Sequence, residues 1–468
     1  MIKEADIKAL KKMVGEDNCF SDKAHKLAYC YDATRNRYEP DLVIFPRHEE
    51  DVSDVLKYCN EHQITVVPRG AGSGFTGGSL PVNGGIVLSL EKHMNKILEI
   101  DMENMVARVQ PGVINMQLQK AVEAVGLFYP PDPASEEYST LGGNVSENAG
   151  GMRAAKYGIT KDYVMALRAV LPNGDIIRAG KKTIKDVAGY NIAGILIASE
   201  GTLAIITEIT FKLLSKPALR KSAMGIFPTI DDAMNAVYKT MAAGVTPVAM
   251  EFLDNLTIRA VESKFHKGLP LDAGAILITD VDGNLSEDLE LQMDKIEEKF
   301  RENHALSFKR ATTQEEAKDL WFARRNASQS ITIYGNKKLN EDITVPRSKL
   351  PALLKGIGEI AQKYQLKIPC FGHTGDGNVH TNVMVEDGND PKQLEIGHKA
   401  IEEIFRLTVE LEGTLSGEHG IGLSKAAFMH LAFSEEEMNL FRAIKRAFDP
   451  NNILNNGKMA LDEPIPGK

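Results

Sequence analysis

Residues 66–81, VVPRGAGSGFTGGSLP, constrain the fold of this chain more than any other segment. Gly72, Gly74 and Gly77 form a GxGxxG directly after a β-branched strand. In a doubly wound dinucleotide fold that motif opens a helix whose N-terminus the glycines close. Here Gly78, Pro81, Gly84 and Gly85 follow, and the next regular segment, GGIVLSL, is another strand. There is no GK[ST], so the P-loop is excluded together with the Rossmann turn. The physical content of the glycines survives: spaced closely, they let backbone N–H groups converge into an anion nest. Ser73, Thr76 and Ser79 add hydroxyls. A pyrophosphate suits such a loop, and an ordinary tight turn is the competing reading.

Two further glycine-rich stretches weigh against the ordinary turn. Residues 130–151, PPDPASEEYSTLGGNVSENAGG, carry Gly142, Gly143, Gly150 and Gly151 among small polar side chains. The irregular composition runs over 130–160, and so long a stretch inside a domain is usually functional. Residues 186–213, DVAGYNIAGILIASEGTLAIITEITFKL, carry Gly189, Gly194 and Gly201 into a long buried strand ending before Pro217. Uncharged, backbone-rich loops of this kind suit a large planar ligand approached by main chain. Between the loops the patterns are ordinary. Residues 1–37 read as two short helices, and HEEDVSDVLKYCNEHQ has helical spacing. VMALRAVLPNGDIIRAG is a hairpin turning at Asn173–Gly174. From about 218, helix and strand signals alternate without glycine clusters, which marks a second domain to about 410. Residues 411–468 are glycine- and turn-rich again.

Two of the eleven histidines stand in FGHTGDGNVHTNVMV. Gly375 and Gly377 allow a sharp turn that folds His373 back toward His380 on the strand VHTNVMV. LSGEHGIG adds Glu418 and His419 between glycines. Two histidines and one carboxylate form a facial set for a divalent cation with open positions, and zinc, manganese and ferrous iron all fit. Hydrogen-bonded structural histidines are the alternative. In DLWFARRNASQS, Arg324 and Arg325 beside Trp321 offer a carboxylate-binding cation.

The four segments PRGAGSGFTGG, TLGGNVSENAGG, DVAGYN and SEGTLAIITE, in this order and spacing, resemble the FAD domain of the vanillyl-alcohol-oxidase flavoproteins. The resemblance extends over nearly the whole chain, toward the branch that holds the FAD subunit of glycolate oxidase, D-lactate dehydrogenases and D-2-hydroxyglutarate dehydrogenases. It implies an α+β fold. A two-subdomain FAD-binding domain (1–217, with a helical start to about 37) precedes an α+β, ferredoxin-like cap with an antiparallel sheet (218–410). A segment 411–468 then returns to the FAD domain. Pro68, Arg69, Gly70, Ala71, Gly72, Ser73, Gly74 and Thr76 would cradle the pyrophosphate. Pro131, Asp132, Thr140, Gly143, Ser146, Asn148, Ala149, Gly150 and Gly151 would line the flavin. Glu200, Gly201 and Ile206 would touch the adenine–ribose end. No histidine stands at 70–73, where some relatives attach flavin covalently, so non-covalent FAD is expected. The HxGDGNxH and EHGIG segments match the metal and active-site motifs of the D-2-hydroxyacid dehydrogenases. They imply His373, His380 and Glu418 as metal ligands, His419 as general base and Asn378 near the substrate. Arg324 would hold the substrate carboxylate. Asn340 stands where the hydroxyglutarate branch has a lysine, which favours a small monocarboxylate, although Lys337 and Lys338 lie close by.

The expected reaction is oxidation of a small D-2-hydroxyacid, D-lactate first, with glycolate or 2-hydroxyglutarate as runners-up. Electrons would pass to an electron-transferring flavoprotein or an iron–sulfur subunit. The net charge of −9, without basic runs, argues against nucleic acid as a partner. No window offers the roughly 18 apolar residues of a membrane span, and the charged N-terminus is unlike a signal peptide. Peripheral membrane contact stays open. Cys19, Cys30, Cys59 and Cys370 are far apart, as in a reduced, cytoplasmic protein. Two other classes compete: a non-haem metal enzyme, which leaves the glycine loops unused, and a non-catalytic flavin scaffold, which leaves the histidines unused.

Overall fold

The computed structural model describes residues 2–462. The chain divides into two compact units: Met1–Gly150 with Ile159–Lys216 and Glu418–Lys468, and Gly151–Gly158 with Pro217–Gly417.

In the first unit, the strands Cys19–Phe20, Leu42–Ile44, Ile86–Ser89 and Val66–Arg69 form one sheet in that order, the last three parallel. Parallel strands need a crossover, and the helix Glu49–His62 supplies it between Leu42–Ile44 and Val66–Arg69. The helix buries Val52, Val55, Leu56 and Cys59 against this sheet. A five-stranded antiparallel sheet follows, in the order Ile97–Asp101, Val106–Val109, Ile205–Lys212, Val164–Val170, Ile176–Gly180. The C-terminal segment closes the unit: Val66 donates its N–H to the Ile453 carbonyl, and Asn455 donates to the Val66 carbonyl.

The loop at 130–151 is more regular than its composition suggests. Leu141–Glu147 is helical despite two glycines. Thr140 caps it by accepting the Gly143 N–H, and a Cβ on Gly142 would lie 2.5 Å from Pro111 Cβ. The cap and the close packing outweigh the helix propensity that glycine lacks.

The second unit is built on one seven-stranded sheet, antiparallel at every pairing. Its order is Ser307–Arg310, Leu219–Phe227, Ala275–Gly283, Ala249–Asp254, Cys370–His373, Asn378–Val385, Lys337–Thr344. The helices Asn255–Phe265 and Phe322–Ser330 contribute Ile258, Val261, Ala323 and Ala327 to a cluster with Ala249, Leu253, Ile276, Ile278 and Phe371 of the sheet. Two boundaries differ from the sequence reading. Residues 151–158 belong here, because Lys156 Nζ and Tyr157 Oη bind Asp282 at 2.5 and 2.8 Å. The return to the first unit comes at Glu418 rather than 411.

Candidate functional site

The glycine-rich loop leaves the strand Val66–Arg69 at its C-terminal end. Among the described residues no hydrogen bond takes up the N–H groups of Ala71, Gly72, Ser73, Gly74 or Phe75. Five consecutive N–H groups without an acceptor, in a loop open to solvent, are what an anion nest requires. A Cβ at Gly74 would meet nothing within 4 Å, so main chain is accessible there. Arg69 does not face outward. Its guanidinium is buried, donates to the Tyr31 carbonyl at 2.8 Å and to Ser79 Oγ at 3.3 Å, and stacks over Tyr29. Gly72 has φ +66°, and a Cβ there would strike that guanidinium. Arg69 therefore braces the loop from beneath.

Beside it, Thr140 caps the helix Leu141–Glu147, and Ser139 Oγ and Asn144 Nδ2 are buried without hydrogen-bond partners. Orphaned buried polar atoms are rare, and their place among the glycines fits a large polar ligand such as FAD. Some expected contacts are otherwise engaged. The Pro131 carbonyl accepts from Asn115 Nδ2 and Gln119 Nε2. Asn148 Oδ1 accepts the Lys161 N–H. Asp132 and Ile206 are buried. The DVAGYN segment lies in an exposed loop, with Val187 and Tyr190 at 99% and 92% exposure.

Glu200, expected at the adenine–ribose end, is engaged by the chain itself. Its buried carboxylate accepts the N–H groups of Ile421 and Gly422, each at 2.7 Å. Burial raises its pKa above the usual carboxylate value, and the two N–H groups oppose that rise. Its backbone N–H donates to the Ser146 carbonyl. Glu200 thus anchors the turn after His419. The His419 carbonyl also accepts from Thr76 Oγ1 at 3.4 Å, and its ring lies 5.3 Å from that of Phe75. A Cβ at Gly150 would meet Glu418 Oε2 at 3.1 Å. The first unit alone thus gathers Glu418 and His419 at the glycine loops.

The second unit gathers the remaining candidates on one face of its sheet. The turn after Cys370–His373 requires Gly377, with φ +91° and a Cβ that would lie 2.1 Å from the Val345 carbonyl oxygen. The turn brings the Nε2 atoms of His373 and His380 to 3.3 Å. His373 Nδ1–H donates to Glu251 Oε1 at 2.6 Å, and Arg324 Nε donates to Glu251 Oε2 at 2.6 Å. With its proton on Nδ1, His373 turns a lone pair at Nε2 toward His380. Either one imidazole donates to the other or a cation takes both lone pairs, and a ligating histidine held by a carboxylate is the usual arrangement around metals. The donor set fits a divalent ion. Arg324 lies 4.9 Å above the Phe371 ring, its Nη groups without hydrogen bonds among the described residues. Asn378 Nδ2 donates to Thr344 Oγ1 at 3.0 Å, and its Oδ1 is buried and unpartnered.

Two carboxylates that hold the candidate residues escaped the sequence reading. Glu251 is one; a charged residue inside the apolar strand AMEFLD was its only signal. Asp342 is the other, paired across the sheet with His380. It accepts the Gly417 N–H and the Ser416 hydroxyl, which fixes the residue immediately before Glu418. Lys338 Nζ donates to Ser328 Oγ at 2.9 Å.

Residues 40–180 match the family described as FAD binding domain, and residues 216–459 match FAD linked oxidases, C-terminal domain. The glycolate oxidase subunit GlcD of Bacillus subtilis is 45% identical over 451 residues, covering 96% of this chain and 95% of its own. The D-lactate dehydrogenase of Anaerostipes hadrus is 35% identical over 461 residues, covering 96% and 95%. Among solved structures, p-cresol methylhydroxylase with substrate bound superposes with a TM-score of 0.80 at 18% identity, covering 98% of each chain. An alkyldihydroxyacetonephosphate synthase superposes at 0.77 and 21%, covering 98% and 86%. These last two establish the vanillyl-alcohol-oxidase-type fold.

Proposed function

The chain belongs to the FAD-linked oxidases, and from that premise we propose that it oxidises a small D-2-hydroxymonocarboxylate, D-lactate first, to the 2-oxoacid. The chain Arg324–Glu251–His373–His380 carries this reading: it holds a carboxylate-binding cation and a metal-ligand pair in one rigid hydrogen-bonded unit.

When bound, FAD supplies a hydride acceptor, and a divalent cation supplies Lewis acidity. The loop at residues 70–76 binds the pyrophosphate of non-covalent FAD through its free N–H groups. His373, His380 and Glu418 hold the cation. Arg324 binds the substrate carboxylate through its two Nη groups, which orients C2. His419 takes the hydroxyl proton on a ring nitrogen, as general base. Asn378, whose Oδ1 is buried and unpartnered, is a further polar group for the substrate.

Glycolate is the second reading, favoured by the relative named as a glycolate oxidase subunit. That name, a subunit's, supports a protein partner, and in our reading the partner takes the electrons, as an electron-transferring flavoprotein or an iron–sulfur subunit. Among the described residues no helix is long and apolar enough to cross a membrane. The four free cysteines favour a reducing compartment such as the cytoplasm.

The test is the anaerobic visible spectrum of the purified protein. Bleaching of the flavin bands by D-lactate, lost on EDTA treatment and restored by Zn²⁺ or Mn²⁺, supports the reading. Bleaching by glycolate alone moves the substrate to the second reading. Flavin bands that no 2-hydroxyacid bleaches would leave a non-catalytic flavin subunit.

A further inference from the structure

We propose that Glu251 is a positioning residue that sets metal affinity and substrate affinity together, through one carboxylate. The inference rests on the reading of His373 and His380 as metal ligands.

The Glu251 side chain is wholly buried in the strand Ala249–Asp254. Its face of that strand is otherwise apolar: Ala249 and Leu253 join a cluster with Ile276, Ile278 and Phe371. Packing there would be served by leucine or methionine. Burying a carboxylate costs several kcal/mol unless each oxygen is met by a good donor. What the carboxylate adds is direction. It presents two acceptor oxygens and no donor, and it faces two donors, His373 Nδ1 and Arg324 Nε, each at 2.6 Å.

The two contacts have separate consequences. A neutral imidazole carries one proton, and the tautomer follows the partner of the other nitrogen. An acceptor at Nδ1 leaves Nε2 as a lone pair aimed at His380 Nε2. On the other side, the bond to Nε and the contact with the Phe371 ring fix the plane of the Arg324 guanidinium. Its Nη edge then remains for an incoming carboxylate. Removing the negative charge while keeping the shape disturbs both.

Glu251→Gln makes this substitution. The amide has one acceptor oxygen and one NH₂, so one partner is met donor to donor. Facing His373, the NH₂ drives the proton to Nε2 and closes the ligand position. In the purified FAD-loaded protein, Mn²⁺ or Zn²⁺ affinity measured by chelator competition should fall about 10- to 100-fold. Flavin content and metal-free thermal unfolding should stay close to wild type. At saturating metal, kcat should recover while KM for the hydroxyacid remains raised, because a neutral amide oxygen holds the Arg324 guanidinium less firmly than the carboxylate does; a purely structural lesion would not produce that split.

A folded Glu251→Gln protein with wild-type metal affinity overturns the proposal. If that variant does not fold, Arg324→Gln decides. It removes the partner of the other oxygen and touches no ligand, yet it should shift metal affinity severalfold; no shift overturns the proposal. Wild-type protein that takes up no divalent ion through His373 and His380 would defeat the metal reading itself, and this inference with it. Wild-type uptake with an unchanged variant defeats only the role of Glu251.

Discussion

The Nε2 atoms of His373 and His380 face each other at 3.3 Å, at the end of a sheet turn that glycine alone permits. Two imidazole nitrogens this close, with His373 Nδ1 held by Glu251, fit the ligand pair proposed above. His380→Ala should therefore remove metal uptake and hydroxyacid-dependent bleaching while leaving the flavin spectrum in place. Metal content and the anaerobic spectrum check it together; a fully active variant would remove His380 from the site.

Gly74→Ala separates binding from folding. A methyl group there meets no protein atom within 4 Å, so thermal stability should change by no more than about 0.5 kcal/mol. FAD affinity, followed by fluorescence titration of the apoprotein, should fall about tenfold, because the methyl group occupies the approach to the free N–H groups.

Glu200→Gln tests whether this carboxylate serves the flavin or the loop that carries His419. A hydrogen bond to a charged group contributes roughly 1.5–3 kcal/mol, and the amide keeps only one acceptor for the N–H groups of Ile421 and Gly422. The expected outcome is a fall in kcat of about tenfold or more with FAD affinity unchanged. A fall in FAD affinity with kcat preserved would return Glu200 to the adenine–ribose end.

Burial pushes Asp254 up to about 6, against N–H donors from Thr257 and Cys370. The folded state thus holds this proton more tightly than the unfolded chain does. Its contribution to stability is present below the unfolded value near 3.8 and is lost as pH rises through about 6. The full shift corresponds to about 3 kcal/mol. Asp254→Asn does not titrate, so thermal stability of wild type relative to this variant should decline between pH 4 and 7. A constant difference would contradict the shift.

The glycine loops were legible because glycine's role is local: Gly72 and Gly377 have left-handed backbone that the sequence can announce. The HxGDGNxH segment was legible for the same reason, since a short turn brings its two histidines together. The helix Leu141–Glu147 was not, because its cap and the approach of Pro111 to Gly142 outweigh propensity. Arg69 and Glu200 stood at marked positions, but the sequence does not say which way a side chain turns. Arg69 turns beneath its loop and Glu200 toward residues 421–422.

The sequence by itself determined the α+β class, the three glycine-rich loops and the residue types from which a flavin and metal chemistry can be built. Tertiary structure alone decided their partners. Glu251 reaches His373 across 122 positions and Arg324 across 73. Those bonds exist because the Ala249–Asp254 strand pairs with Cys370–His373 in one register, with Glu251 opposite His373. A slip of one residue would turn the carboxylate to the other face of the sheet. Register follows from the packing of whole strands and helices, and no local stretch of sequence encodes it.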